Sequence, residues 1–139
     1  MLTIVAGVIE SDGKLLVCQR RRGSAFELMW EFPGGKLQGG ENPVQGLRRE
    51  LREELGVEAE IGAELYRTRH LYPELGEPIE VIFLAAAVSV SSVQNIVFES
   101  MEWREPGTLT ELNFLPADRE FLATLVGRSA NAERGVSRG

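Results

Sequence analysis

Apolar residues occur in short runs along the first part of the chain, and turn-forming residues separate these runs. LTIVAGVIE at 2–10 and KLLVCQR at 14–20 flank the turn Ser-Asp-Gly. Two apolar runs joined by so short a turn predict a β-hairpin. Residues 21–41 have few periodic apolar positions and contain five glycines. We expect a loop with a functional role there, because long ordered loops usually have one.

The strongest helical pattern follows this loop. Apolar side chains recur every three or four residues from Val44 to Leu55. Asn42 suits the N-cap, Pro43 suits the first helical position, and Gly56 suits the left-handed residue after a helix. We therefore expect an amphipathic helix from Pro43 up to Gly56.

The second half of the chain predicts three strands and a last helix. Residues 60–71, 79–90 and 98–105 have the composition of strands, and DREFLATLV near Pro116 has helical spacing. Strands, a helix, more strands and a last helix predict an α+β protein, an α/β/α sandwich with a mixed sheet.

The length of 139 residues suffices for one domain. We place that domain at residues 1–127. The segment 128–139 lacks apolar periodicity, and we expect it to be a disordered tail.

The net charge of −6 makes some functions improbable. A protein that binds a nucleic-acid polymer or an anionic membrane would need a basic patch, so we expect neither partner. A phosphorylated small molecule remains compatible with this charge, provided that a cation lies between the acidic protein and the phosphates.

Cys18 is the single cysteine and lies in an apolar run, which predicts a buried thiol and excludes an internal disulfide. The N-terminus lacks the basic start of a signal peptide, and no apolar run approaches the roughly 18 residues of a membrane span. We expect a cytoplasmic protein. A monomer and a homodimer are equally compatible with the sequence.

The helix at 43–55 places three acids on one face. On a helical wheel Glu50, Glu53 and Glu54 share an arc of roughly 100° that borders the apolar stripe. Like charges so placed repel, and Arg49 reaches only part of them. A divalent cation would offset the repulsion. The alternative is an ordinary salt-bridged solvent face.

The spacing of these residues matches a known motif. From Gly35 the chain has five residues, Glu41, seven residues and then RELREELGV at 49–57. This spacing fills every fixed position of the Nudix box, whose last part is REUXEEXGU, where U is an aliphatic residue and X is any residue. The stretches MWEFPGGK, VCQRR and FLPADREFL are similar to those of MutT-like members, which include enzymes acting on oxidised purine or cytidine nucleoside triphosphates. The resemblance covers residues 2–126.

This resemblance implies the Nudix fold, a mixed β-sheet between helices. It also implies a hydrolase that cleaves a nucleoside diphosphate linked to a group X. The expected substrate is a small-molecule nucleotide, most directly a normal or modified nucleoside triphosphate that yields the monophosphate and pyrophosphate. The expected cofactor is Mg²⁺, with Mn²⁺ as a substitute.

The resemblance also implies roles for individual residues. Glu50, Glu53 and Arg49 match the catalytic positions, and Glu41 matches a structural acid that closes the loop onto the helix. The positions that match metal ligands are Gly35, Glu50, Glu53 and Glu54. Those assigned to substrate binding are Arg20, Phe32 and Asp118.

Two positions depart from the pattern of the family. Many members have a further carboxylate about six residues before a tryptophan, where this chain has Val97 before Trp103, and Glu99 is the candidate replacement. At the position of Asp118, MutT itself has asparagine. Asp118 is equally compatible with a role in base selectivity and with an N-cap or surface position.

Several alternatives remain open from the sequence. Trp30 or Phe32 could stack on a base, although core packing is the expected role of at least one of them. Nucleotide sugars or dinucleotides are alternative substrates. A non-catalytic Nudix module that senses a nucleotide is a further alternative, which the intact box disfavours.

Overall fold

The computed structural model describes the backbone of residues 1–138 and the side chains of residues 1–127. The strands are β1 Leu2–Ser11, β2 Lys14–Gln19, β3 Trp30–Glu31, β4 Gly34–Lys36, β5 Glu60–Leu71, β6 Pro78–Ala87 and β7 Ser100–Arg104. The helices are α1 Pro43–Leu55 and α2 Pro116–Arg138. Short 3₁₀ segments occupy Pro73–Leu75, Val90–Ser92 and Pro106–Glu111.

β1 and β2 form the predicted hairpin. They pair antiparallel, with Ser11 opposite Lys14. The two turn residues have positive φ, 51° at Asp12 and 76° at Gly13. Such turns match the right-handed twist of the flanking strands, which explains why Asp-Gly marks hairpins in a sequence.

The strands form a mixed sheet in the order β3-β2-β1-β6-β5. β1 pairs with β6 in parallel, whereas β5 pairs with β6 antiparallel. β4 pairs with β1, and β7 pairs with β2. The sheet is therefore mixed, as predicted.

Two apolar cores lie on opposite faces of the sheet. One contains Leu47 and Leu51 of α1 with Val5 of β1, and the other contains Phe121 of α2 with Ala6 of β1. Neighbouring strand residues point to opposite faces, so consecutive positions such as 5 and 6 serve different cores. The predicted α/β/α sandwich is confirmed.

The predicted helix at 43–55 is also confirmed, with its caps. The Asn42 side chain accepts from the Gln45 backbone N–H at 2.9 Å, and the Gln45 side chain accepts from the Asn42 N–H at 3.0 Å. Gly56 ends the helix with φ of 65°. This reciprocal capping satisfies N–H groups that a helix start leaves without partners.

The stretch 21–41 is more ordered than the sequence predicted, because it contributes β3 and β4 to the sheet. Gly34 and Gly35 pair with Ala6 and Val5 of β1. A Cβ at Gly34 would overlap the Val5 carbonyl oxygen, so only glycine permits this close approach. Gly34 and Gly35, which form the glycine turn, are thereby fixed to β1.

The end of the chain differs from the expectation. The backbone of α2 is helical up to Arg138, where the sequence predicted a tail over 128–139. The side chains of that segment and all of residue 139 lie outside the described residues, so the domain limit at 127 stays a prediction. Within the described residues, no helix has the length and apolar character needed to cross a membrane.

Candidate functional site

A cavity of about 410 Å³ lies between the glycine turn, the N-terminal part of β1 and the start of α2. Its lining combines polar and apolar residues. The polar and glycine positions are Arg20, Glu31, Gly34, Gly35, Lys36, Glu50, Glu54 and Asp118. The apolar and aromatic positions include Leu2, Ile4, Phe26, Tyr72, Leu75, Ile79, Val81, Leu115 and Ala117. A volume of this size suits a small organic ligand.

Arg49 organises the acids of α1. Its Nη1 donates to Glu50 at 3.0 Å and to Glu53 at 3.2 Å. Its Nε and Nη2 donate to Glu41 at 2.6 and 3.0 Å. Nη2 also donates to the Lys36 carbonyl at 3.0 Å, which ties the helix to β4. These bonds raise the pKa of the guanidinium, with the Glu41 bond as the largest cause.

Glu50 lies against the glycine turn. Its carboxyl atoms are 2.6 to 2.7 Å from where a Cβ on Gly35 would be, so a larger residue would displace them. Its side chain is 14% exposed. Burial raises the pKa of this carboxyl, although the hydrogen bond from Arg49 opposes the effect.

Glu54 is the most buried acid of α1 at the cavity. Its Oε1 accepts from the Gly34 backbone N–H at 2.9 Å. Burial raises its pKa to about 9, and the charges of Glu31 and Glu50 add to the increase. Without a counter-charge, this carboxyl binds a proton at neutral pH.

Glu31 was missed by the sequence analysis. It lies on β3 opposite Cys18 of β2 and lines the cavity between Arg20 and Glu54. Burial raises its pKa, and the charge of Arg20 opposes this effect. The signal in the sequence was its place beside Phe32 in MWEFPGGK, but nothing local indicated that a two-residue strand would bring it to the acids of α1.

Arg20 lines the cavity, and its phosphate-binding role stays a prediction. Its Nη1 donates to both oxygens of Glu31 at 3.1 and 3.2 Å, and its Nε donates to the Ala25 carbonyl at 2.7 Å. The guanidinium is therefore held beside Glu31.

Phe32 lines the cavity, but its ring belongs to the core. The residue is 2% exposed, and its ring contacts Phe83, Phe114 and Phe121 with centroids 5.6 to 6.0 Å apart. Trp30 is also buried, at 8% exposure. Core packing is thus the observed role of both rings.

Asp118 also lines the cavity and is buried in the first turn of α2. It is 5% exposed and is the third residue of the helix, so the alternative of a surface or N-cap position is wrong. Burial raises its pKa to about 8, and the charge of Glu31 adds to the increase. A hydrogen bond from the Phe32 backbone N–H acts in the opposite direction.

The remaining predicted acids lie outside the cavity lining. The Glu53 side chain is 57% exposed and faces Arg49. Glu99 is exposed, and its carboxylate accepts from the Arg22 backbone N–H at 3.1 Å. Val97 lines a smaller cleft with Glu31 and Glu54. Glu99 lines neither the cavity nor this cleft, and its role as the further carboxylate stays a prediction.

The comparison with known proteins identifies this arrangement. Residues 1–125 match the NUDIX domain family. The chain belongs to the NUDIX family. It is therefore a Nudix hydrolase, as the box at 35–57 predicted, and the acids of α1 are those of its Nudix box.

The chain is similar to curated Nudix proteins over nearly its whole length. It is 34% identical over 135 residues to CTP pyrophosphohydrolase of Escherichia coli K12, covering 94% of this chain and 98% of that protein. It is 32% identical over 133 residues to 8-oxo-dGTP diphosphatase of Haemophilus influenzae, covering 94% and 96%.

Solved structures support the same fold. The solution structure of the E. coli ORF135 protein is 31% identical, with a TM-score of 0.79 over 94% of this chain and 92% of that one. The crystal structure of MutT protein from Methanosarcina mazei Go1 is 20% identical, with a TM-score of 0.81 over 92% and 94%.

Nudix hydrolases use divalent cations, and the donors in this site suit one. Among the described side chains, no group of three or more His, Cys, Asp or Glu is arranged to hold a metal ion directly. Mg²⁺ requires only one or two carboxylates and retains several waters. Glu50 beside Gly35 and Glu54 beside the Gly34 backbone N–H provide such oxygens, and a cation there would offset the mutual repulsion of the two carboxylates.

Proposed function

We propose that this Nudix hydrolase cleaves nucleoside triphosphates to the monophosphate and pyrophosphate. The observation that carries this proposal is a single cavity, which is lined both by Glu50 and Glu54 of the Nudix box and by a chamber of apolar side chains that includes Asp118. A triphosphate at the acids would place its base in that chamber. The names of the two curated relatives, a CTP pyrophosphohydrolase and an 8-oxo-dGTP diphosphatase, support this substrate class.

The phosphate end suits hydrolysis by water. We assign metal binding to Gly35, Glu50, Glu53 and Glu54, with Mg²⁺ as the cation and Mn²⁺ as a substitute. A cation held by these residues would neutralise phosphate charge and lower the pKa of a water. Arg20 binds a phosphate oxygen there, which requires its guanidinium to share or leave its contact with Glu31.

Arg49 positions the proton acceptor. Because it donates to both Glu50 and Glu53, it holds the exposed Glu53 carboxylate beside that of Glu50, which lines the cavity. We assign proton acceptance to these two residues jointly. The ion pair between Arg49 and Glu41 fixes the Arg49 guanidinium itself. Glu41 therefore acts on the reaction only through Arg49.

The base end offers few polar groups, and Asp118 is the buried acid among them. A protonated carboxyl donates to a base carbonyl, and an ionised one accepts from an exocyclic amine. We assign base selectivity to Asp118, with the Phe32 backbone N–H beside it. Glu31, between the two ends, lies within the same cavity and contributes a further carboxylate.

The other properties that we propose follow from composition. The net charge of −6 supports a small-molecule nucleotide partner and disfavours a nucleic-acid polymer. The buried Cys18 thiol and the absence of a membrane-spanning helix among the described residues are consistent with a cytoplasmic monomer or homodimer.

The test is a hydrolysis screen with Mg²⁺ across normal, oxidised and methylated nucleoside triphosphates, nucleotide sugars and dinucleotides. We expect the highest kcat/KM for a nucleoside triphosphate, with monophosphate and pyrophosphate as products. Higher kcat/KM for a nucleotide sugar would contradict the proposal. Turnover of none of these compounds with Mg²⁺ or Mn²⁺ would favour the non-catalytic module.

Glu53→Gln tests the assignment of the acids. We expect kcat to fall by a factor on the order of 10² or more, with the fold retained because Glu53 is exposed. Glu58→Gln is the matched control, since Glu58 is an exposed acid that pairs with Arg52 away from the cavity. Equal kcat in the two variants would remove Glu53 from the mechanism.

A further inference from the structure

Tyr72 joins three segments that surround the cavity. It directly follows β5, and it is buried at 5% exposure. Its ring lies 5.0 Å from the Phe26 ring in the 21–29 loop and 4.6 Å from the His70 ring. Its hydroxyl oxygen accepts a hydrogen bond from the Ala117 backbone N–H of α2, at 2.9 Å.

This hydrogen bond replaces a local helix cap. The first N–H groups of a helix have no partner within the helix and are normally satisfied by a side-chain oxygen just before it. At the start of α2 the preceding residue is Leu115, which has no such oxygen, and Pro116 has no N–H to donate. Tyr72, 45 residues earlier in the chain, supplies the acceptor to Ala117.

The capped N–H belongs to the residue next to Asp118. Asp118 itself donates its backbone N–H to the Leu115 carbonyl at 3.0 Å, which closes the same turn. The Tyr72 bond therefore fixes the turn from the cavity side, at the place where the Asp118 carboxyl enters the lining. If the turn shifted, the carboxyl would shift with it.

We propose that Tyr72 is a positioning residue for nucleotide selectivity, whose hydroxyl holds the first turn of α2 so that Asp118 faces the base. This inference rests on the proposed function, because it assumes that the base occupies the end of the cavity at Asp118. The Phe26 contact extends the same anchoring to the 21–29 loop, which follows Arg20.

Tyr72→Phe removes the acceptor and keeps the ring, and Tyr66→Phe is its matched control. Tyr66, on β5, also bonds α2 through its hydroxyl, but its partner is the exposed Glu120 side chain. Selectivity is the ratio of kcat/KM for the preferred triphosphate to kcat/KM for its best competitor. We expect Tyr72→Phe to lower this ratio about tenfold by changing KM, with kcat nearly unchanged. Tyr66→Phe should leave the ratio unchanged.

A double-mutant cycle separates positioning from general loosening. If Tyr72 acts through Asp118, Tyr72→Phe should change the ratio in the wild type and leave it unchanged in an Asp118→Asn background. An unchanged ratio in Tyr72→Phe, or a full additive loss in the double variant, would overturn the proposal.

Hydrogen exchange on the wild type gives a second measurement that needs no variant. The Ala117 amide should be protected in the free protein, unlike a typical uncapped first-turn amide, and fast exchange would overturn the proposal. If the wild type hydrolyses only another class of nucleotide, the proposed function fails, and the selectivity ratio within that class still tests Tyr72.

Discussion

Arg49 and Glu41 are joined by two hydrogen bonds, Nε to Oε2 at 2.6 Å and Nη2 to Oε1 at 3.0 Å. This fork–fork geometry needs the planar guanidinium, which a lysine ammonium cannot reproduce. It leaves Nη1 directed at Glu50 and Glu53. The Arg49–Glu41 pair therefore fixes the orientation of Nη1, and with it the positions of the Glu50 and Glu53 carboxylates.

Arg49→Lys should lower kcat by a factor on the order of 10², because the charge remains while the carboxylates lose their fixed geometry. Steady-state kinetics would measure this, with Arg52→Lys as the control. Arg52 makes an equally short bond to Glu58, but on the solvated face of α1. Comparable kinetic losses in the two variants would show that the Arg49 geometry is irrelevant.

Gly35→Ala should also impair the reaction, by steric overlap alone. The added Cβ would lie 2.6 to 2.7 Å from the Glu50 carboxyl, which must move away. We expect kcat to fall about tenfold or more, with a melting temperature close to that of the wild type, because the end of a flexible side chain can yield. Gly39→Ala is the control, since its Cβ would have no neighbour within 4 Å. Wild-type kcat in Gly35→Ala would exclude a positional role for Glu50.

Glu54→Gln should separate stability from activity. Burial raises the folded-state pKa of Glu54 to about 9, so its contribution to stability is complete below about pH 4 and is lost as the pH rises toward 9. In metal-free buffer at pH 8, the amide variant should therefore melt at a higher temperature than the wild type.

The same variant should lose turnover and should no longer be stabilised by Mg²⁺. Thermal melts with chelator and with added Mg²⁺, compared with the Glu58→Gln control, measure both effects. A Mg²⁺-induced increase in melting temperature equal to that of the wild type would show that Glu54 does not bind the cation.

Asp118→Asn should gain stability relative to the wild type as the pH rises. The carboxyl has a folded-state pKa of about 8, so its full contribution is present below about pH 4 and is lost as the pH rises through 8. The difference between the two proteins should change by up to about 4 kcal/mol between pH 5 and pH 9. Urea unfolding at pH 5 and pH 9 measures it.

Asp12→Asn is the control for this pH dependence. Asp12 is an exposed turn residue with φ of 51°, a conformation that asparagine also accepts. Its variant should follow the wild type at both pH values. If the stability difference between Asp118→Asn and the wild type does not change with pH, the carboxyl is ionised in the folded protein at both pH values. Asp118 would then select the base by accepting a hydrogen bond from an amine.

The sequence predicted those parts of the site that depend on local spacing. Asn42, Pro43 and Gly56 define α1 through contacts within a few residues. The wheel placed Glu50, Glu53 and Glu54 on one face, and of these Glu50 and Glu54 line the cavity whereas Glu53 does not. The resemblance to the Nudix box then assigned Gly35, whose contact with Glu50 the structure shows.

The parts that depend on distant pairing could not be predicted in the same way. Glu31 joins the site because a two-residue strand pairs with β2, and so short a strand has no periodicity to detect. Glu99 has the right residue type, but its carboxylate bonds the Arg22 backbone N–H and it does not line the cavity. The burial of Asp118 depends on how α2 packs, which its local sequence does not specify.

The position of α2 in the chain has a consequence for biosynthesis. Domains are made from the N-terminus onward, so α1, with its acids, is synthesised well before Asp118 and the helix that closes the base end. A nascent chain that lacks α2 has the Nudix box but not this wall of the cavity. Selective nucleotide binding is therefore acquired late in synthesis, and a nucleotide added during translation would stabilise only chains in which α2 has docked.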